Sequence, residues 1–158
     1  QQVAELLYLS HAKQHLRPPF YRILNNEYVY LSNDQGNFNK MYFRSNSLFF
    51  DLLGGLIPVK MSHLKIEKSW LGLRRKNDYP VIPNEALLKL APFMSEGVVI
   101  SFEKAQQSRS RIEIPVYIIG DCIDSDEVAD QYQQNNQKEP EAKLLYLRKS
   151  KEWTLVLK

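Results

Sequence analysis

RIEIPVYII, residues 111–119, is the stretch on which the fold turns. Ile112, Ile114, Val116 and Ile118 fall on every second position, with Arg111, Glu113, Pro115 and Tyr117 between them. A period of two collects the aliphatic side chains on one face of a strand, whereas a helix would scatter them. The neighbouring runs suit partner strands. GVVISFE, 97–103, precedes it, and KLLYLRK, 143–149, followed by EWTLVLK, 152–158, reads as a closing hairpin. Between them, Asp124 to Gln134 has the composition of a helix. Asp124 is its expected cap, with Glu127 reaching back and acids at the positive end of the dipole.

Moving toward the amino end, PNEALLKLAPFM, 83–94, predicts a helix with Pro83 near its first turn and Asn84 as a cap. SNSLFFDLLGG, 45–55, predicts a short helix begun by Ser45 or Ser47 and ended by Gly54 or Gly55. From Val59 the spacing predicts a bulged strand to Trp70 and then a basic loop. FYRIL and EYVYL around Asn25-Asn26 predict a hairpin, and FNKMYFR, 38–44, a third strand after the turn at Asn33-Asp34-Gln35-Gly36. Val3, Leu6, Leu7 and Leu16 predict a first helix, stopped at Arg17-Pro18-Pro19. Helices and strands interleave without a βαβ rhythm. The expected class is α+β: one domain over 1–158, with a mainly antiparallel or mixed sheet built from hairpins and three to four helices packed on it. The polar 131–142 stretch is expected to be a flexible loop.

The chain has 158 residues, 44% apolar and 25% charged, enough for one folded core and unlike a disordered chain. It begins with Gln, so it is read as a fragment of a larger protein. A single cysteine, Cys122, excludes an intrachain disulfide and leaves the compartment open, the cytoplasm being favoured. The longest apolar run, SLFFDLLGGLIPV, is too short for a bilayer span and carries Asp51.

The formal net charge is only +3, but it is unevenly spread. Lys60, Lys65, Lys68, Arg74, Arg75 and Lys76 stand against Glu67 alone within 60–76. Lys104, Arg109 and Arg111 lie in and beside the loop KAQQSRSR, and Arg148, Lys149 and Lys151 lie in the last hairpin turn. Clustered cations displace counterions from phosphate backbones, and an exposed Trp70 among them can stack on a base. The expected function is therefore a non-catalytic nucleic-acid-binding domain. Lys65, Lys68, Trp70, Arg74, Arg75, Lys76, Lys104, Arg109 and Arg111 form its site, with no cofactor and no metal.

Two alternatives come from other segments. Phe49, Phe50, Leu52, Leu53, Leu56 and Ile57 point to a protein partner docked on 48–57. Asp121, Asp124, Asp126 and Glu127, with the E-x-K form Glu141-Ala142-Lys143, point to a divergent metal-dependent nuclease, in which hard oxygen ligands hold Mg²⁺. His11 and His15, four apart, would be half of a zinc site on a helix; the metalloprotease form needs Glu at position 12, which is Ala. No phosphate-binding loop, dinucleotide fingerprint or nucleophile elbow is present.

Overall fold

A computed structural model describes residues 6–11, 27–33, 38–63 and 79–158. Among them are strands β1 (Leu6–Leu9), β2 (Tyr28–Asn33), β3 (Phe38–Phe43), β4 (Val98–Ser101), β5 (Gln106–Gln107), β6 (Arg111–Ile118), β7 (Ala142–Leu147) and β8 (Glu152–Leu157). The helices are α1 (Asn46–His63), α2 (Asn84–Leu87), continued by a 3₁₀ run over Leu88–Glu96, and α3 (Ser125–Asn135). Six strands form one sheet in the order β1-β4-β6-β7-β8, with β5 also on β6, while β2 and β3 pair separately. Every pairing is antiparallel. The chain is an α+β protein whose described residues make one such arrangement.

β6 is the hub. Ile112, Ile114 and Val116 enter the main core with Leu144 of β7 and Leu155 of β8. Phe50, Leu53, Ile57 and Met61 of α1 and Leu87 of α2 cover them. On the opposite face Tyr117 and Ile119 meet Val99, Cys122 and Tyr132 under α3.

Pro115 explains where β4 ends. Ile119 N–H donates to Gly97 O at 3.0 Å, so odd-numbered amides of this strand face β4. Pro115 is the next odd position beyond Tyr117, and it has no N–H to offer. Pairing with β4 stops at Ile100–Val116 and resumes with β5 at Gln106–Glu113. Six steps along one strand match three along the other, so three extra residues loop out beside the proline. The expected strand over 97–103 is observed at Val98–Ser101; a turn closed by Ala105 N–H to Phe102 O follows, and a separate two-residue strand, β5, comes after it.

Three local expectations are corrected. The helix expected over 1–16 is a strand at Leu6–Leu9, because both its faces are needed: Leu7 and Leu9 join the main core, Leu6 and Tyr8 the second. A short run that is apolar throughout fits a strand buried on both faces as well as a helix. Second, α1 runs through Gly54-Gly55 and Pro58 to His63, so Val59–His63 is helical rather than the start of a strand. Pro58 withholds the amide that Gly54 O would accept in a regular helix. Ile82 N–H supplies the replacement, at 3.0 Å from Gly54 O. Third, the 83–94 helix is α-helical only to Leu87. Pro92 has no N–H for the Leu88 carbonyl that an α-helix would pair with it, and the run tightens to three residues per turn.

Ser45 caps α1, its Oγ accepting from Leu48 N–H at 3.4 Å. The strand of EYVYL pairs with that of FNKMYFR; FYRIL lies outside the described residues, as does most of the expected strand and loop over 59–78. Of 131–142, Gln131–Asn135 completes α3 and Ala142 opens β7, leaving 136–141 as the connection.

Candidate functional site

The β-ladder brings two of the basic segments together. Arg111 is opposite Leu147, so the turn before β6 and the turn after β7 emerge at the same end of the sheet. Arg148 N–H donates to Ser110 O at 2.9 Å, joining the two turns directly. Lys151 N–H closes the second turn on Leu147 O at 2.8 Å. The first turn is built by serines: Ser108 Oγ accepts from Ser110 N–H and Arg111 N–H. Gln107, Ser108, Arg109 and Arg148 line a shallow depression of about 550 Å³ between the turns.

Arg109, Lys149 and Lys151 are exposed at this end. Arg111 is tied to Glu113, its Nε 2.6 Å from Oε1. The other carboxylate oxygen takes Lys143 Nζ at 3.1 Å from the neighbouring strand. The two cations hold the Glu113 carboxyl below the usual glutamate range, Lys143 foremost. This triad sits on the α3-side face of the sheet, in the part that α3 does not reach, beside Leu145, Thr154 and Val156, all at least partly exposed.

Lys104 lies elsewhere. Its Nζ donates to Asn136 O, the carbonyl at the C-terminal cap of α3, where a cation suits the helix dipole. Lys65, Lys68, Trp70, Arg74, Arg75 and Lys76 lie outside the described residues. The chain re-enters at Tyr79, whose ring meets Tyr146 edge-on at 5.1 Å. Trp153 Nε1 donates to Pro80 O at 2.8 Å. Tyr146 and Trp153 are register partners next to the Leu147–Glu152 pair from which the 148–151 turn springs, so Tyr79 and Pro80 lie beside the basic end of the sheet.

Four of the residues singled out for metal chemistry, Asp124, Glu127, Glu141 and Lys143, have structural work. Glu141 Oε2 accepts Ile118 N–H at 3.0 Å, extending the β6 ladder past the start of β7, and Lys143 is in the Glu113 pair. Asp124 Oδ1 accepts from Asp126 and Glu127 N–H, capping α3, while Glu127 Oε2 accepts Ile123 N–H at 2.8 Å. Among the described residues no three His, Cys, Asp or Glu side chains gather as a metal-holding group. His11 follows β1, its N–H on Met94 O, and His15 lies outside the described residues.

Sequence reasoning passed over the polar contacts under α3. Ser101, fully buried, shares a 2.6 Å hydrogen bond with Tyr132 OH. Burial pushes the Tyr132 hydroxyl well above its ordinary pKa, with Glu103 adding to the rise. Tyr8 OH donates to Gly120 O at 3.2 Å and accepts Cys122 N–H at 2.8 Å. Burial raises the Cys122 thiol, assisted by Glu127, so it stays protonated at neutral pH. Their signal is a polar residue inside an apolar run, and only the partner's position gives it meaning. No helix among the described residues is long and apolar enough to cross a membrane.

Comparison with known proteins returned no match, whether to a protein-family model, a curated protein or a solved structure.

Proposed function

We propose that this chain is a non-catalytic nucleic-acid-binding domain whose basic sheet end contacts the phosphate backbone. The observation that carries the reading is the junction of two cationic turns through Arg148 N–H and Ser110 O. It groups Arg109, Arg111, Arg148, Lys149 and Lys151 against the acids Glu113 and Glu152. Local positive charge of this kind favours polyanions more than the chain's small net charge suggests. Lys65, Lys68, Arg74, Arg75 and Lys76 add to the reading through their charge in the sequence, and Trp70 through its capacity to stack. Lys104, held at the C-terminal end of α3, stands apart from this group.

Fluorescence anisotropy with labelled duplex DNA, single-stranded DNA and RNA, each across a salt series, tests this. Log affinity is expected to fall linearly with log salt, by about 0.9 per phosphate neutralised on a duplex. The pair Arg109→Glu and Lys149→Glu is expected to weaken binding at least about tenfold and flatten the slope. Absence of binding to all three at low salt refutes the proposal.

A second reading has its own observation. Leu52, Leu56 and Val59 are 41%, 43% and 55% exposed along the outer face of α1, opposite the core-facing Phe50, Leu53 and Ile57. That stripe suits a protein partner on 48–57. Light scattering separates the readings: association that survives high salt belongs to the apolar stripe, because screening removes phosphate contacts.

A further inference from the structure

We infer that Glu113 is a built-in competitor for the phosphate that the sheet surface would bind, holding Arg111 and Lys143 until a polyanion displaces it. This rests on the nucleic-acid reading above and names its regulating residue. Glu113 is 17% exposed, whereas Arg111 and Lys143 are 52% and 50% exposed. Each of its carboxylate oxygens takes one cation, Oε1 from Arg111 Nε at 2.6 Å and Oε2 from Lys143 Nζ at 3.1 Å. Two oxygens of one phosphate would occupy the same pair of donors.

The register makes the triad a feature of the sheet. Arg111 and Glu113 are two apart on β6 and share a face, and Lys143 on β7 is the diagonal neighbour of Glu113 through its pairing with Pro115. Gln106, the β5 partner of Glu113, brings no charge. Arg111 also stands at the junction of the two basic turns, so a backbone lying on Arg109 and Arg148 continues naturally onto Arg111 and Lys143. In the free protein the carboxylate lowers the potential at both cations, which weakens their pull on a phosphate.

The test is Glu113→Gln, assayed beside the parent on the same labelled 20-mer duplex across a salt series, with thermal unfolding of both. The amide keeps the shape and removes the charge. Binding is expected to tighten about three- to tenfold at low salt, and the slope of log affinity against log salt to steepen by about one contact. Adding Lys143→Gln to Glu113→Gln is expected to reverse most of the gain. A merely structural role for Glu113 would shift the unfolding temperature without steepening the salt slope. If the parent binds and Glu113→Gln binds equally or more weakly with the same slope, the competitor role is overturned and the binding site stands. If neither protein binds, the nucleic-acid reading fails and takes this inference with it.

Discussion

Gly97 and Gly120 show how tightly single positions are specified. Gly97 has φ +74°, and a Cβ there would lie 1.8 Å from Gly120 O. Both the backbone conformation and the space exclude a side chain, so Gly97→Ala is expected to cost about 3 kcal/mol or more, read by urea unfolding. Lys151 is the contrasting case, a non-glycine residue at φ +59° in the 148–151 turn. Lys151→Gly is expected to raise stability by about 1 kcal/mol while removing one cation from the basic end. A protein that becomes more stable and binds duplex DNA less tightly would separate the two roles of that lysine. Glu113 has a pH consequence as well. Its pKa is lowered by Lys143 and Arg111, so its stabilising contribution is present above the unfolded-state value and is lost as pH falls through the lower folded-state value. The pairs are screened by solvent, so Glu113→Gln should cost only about 0.5 kcal/mol at neutral pH, with the difference shrinking as pH falls past the unfolded-state glutamate value and vanishing below the lower folded-state one.

Helix α1 and its neighbour α2 illustrate how two apparent helix breakers become a joint. Gly54 offers a bare backbone to Ile82, since a Cβ there would lie 2.6 Å from Ile82 O. Pro58 frees the Gly54 carbonyl for Ile82 N–H. Gly54→Ala is expected to destabilise the protein by about 2–4 kcal/mol, because the obstacle is backbone and cannot rotate away. Calorimetry would check this, and Gly55→Ala is its control: nothing lies within 4 Å of a Cβ there, so the substitution should be neutral or stabilising by up to about 1 kcal/mol. The period-two and turn signals of β6, β7 and β8 were readable because each strand buries one face and wets the other over much of its length. Those of β1 and α1 were misleading because both faces of β1 are used and α1 is apolar on its outer side too. Hydrophobic spacing reports a one-sided environment and loses meaning when both sides are apolar.

Across the described part of the molecule, a sheet with one face largely covered and the other half covered divides the protein into a packed part and an open part. α3 is anchored over β4 and β6 by the Ser101–Tyr132 hydrogen bond. Tyr132→Phe should therefore cost about 1–2 kcal/mol by leaving a buried hydroxyl unpaired, and Tyr132→Phe with Ser101→Ala should recover part of that loss in urea titration. Beyond α3 the sheet face carries the Arg111–Glu113–Lys143 triad and leads to the two basic turns. Of the proposed site, the charges of Arg109, Arg111, Arg148, Lys149 and Lys151 were legible as residue types. Their meeting at one end of the sheet was not, since it depends on the pairing of β6 with β7. Lys104 shows the converse: it is close to Arg109 in sequence, yet a three-residue excursion at Pro115 sends it to the end of α3.

The α+β class, the β6 strand, the closing hairpin and the Asp124 cap follow from local rules, because alternation and capping need only neighbours within a few residues. The partner of the Gly54 carbonyl that Pro58 leaves unmatched, the end of β4, the burial of Ser101 and the company of each cation are long-range matters. They were decided when the sheet assembled, since a hydrogen bond or ion pair is set by whichever group the fold brings within about 3 Å.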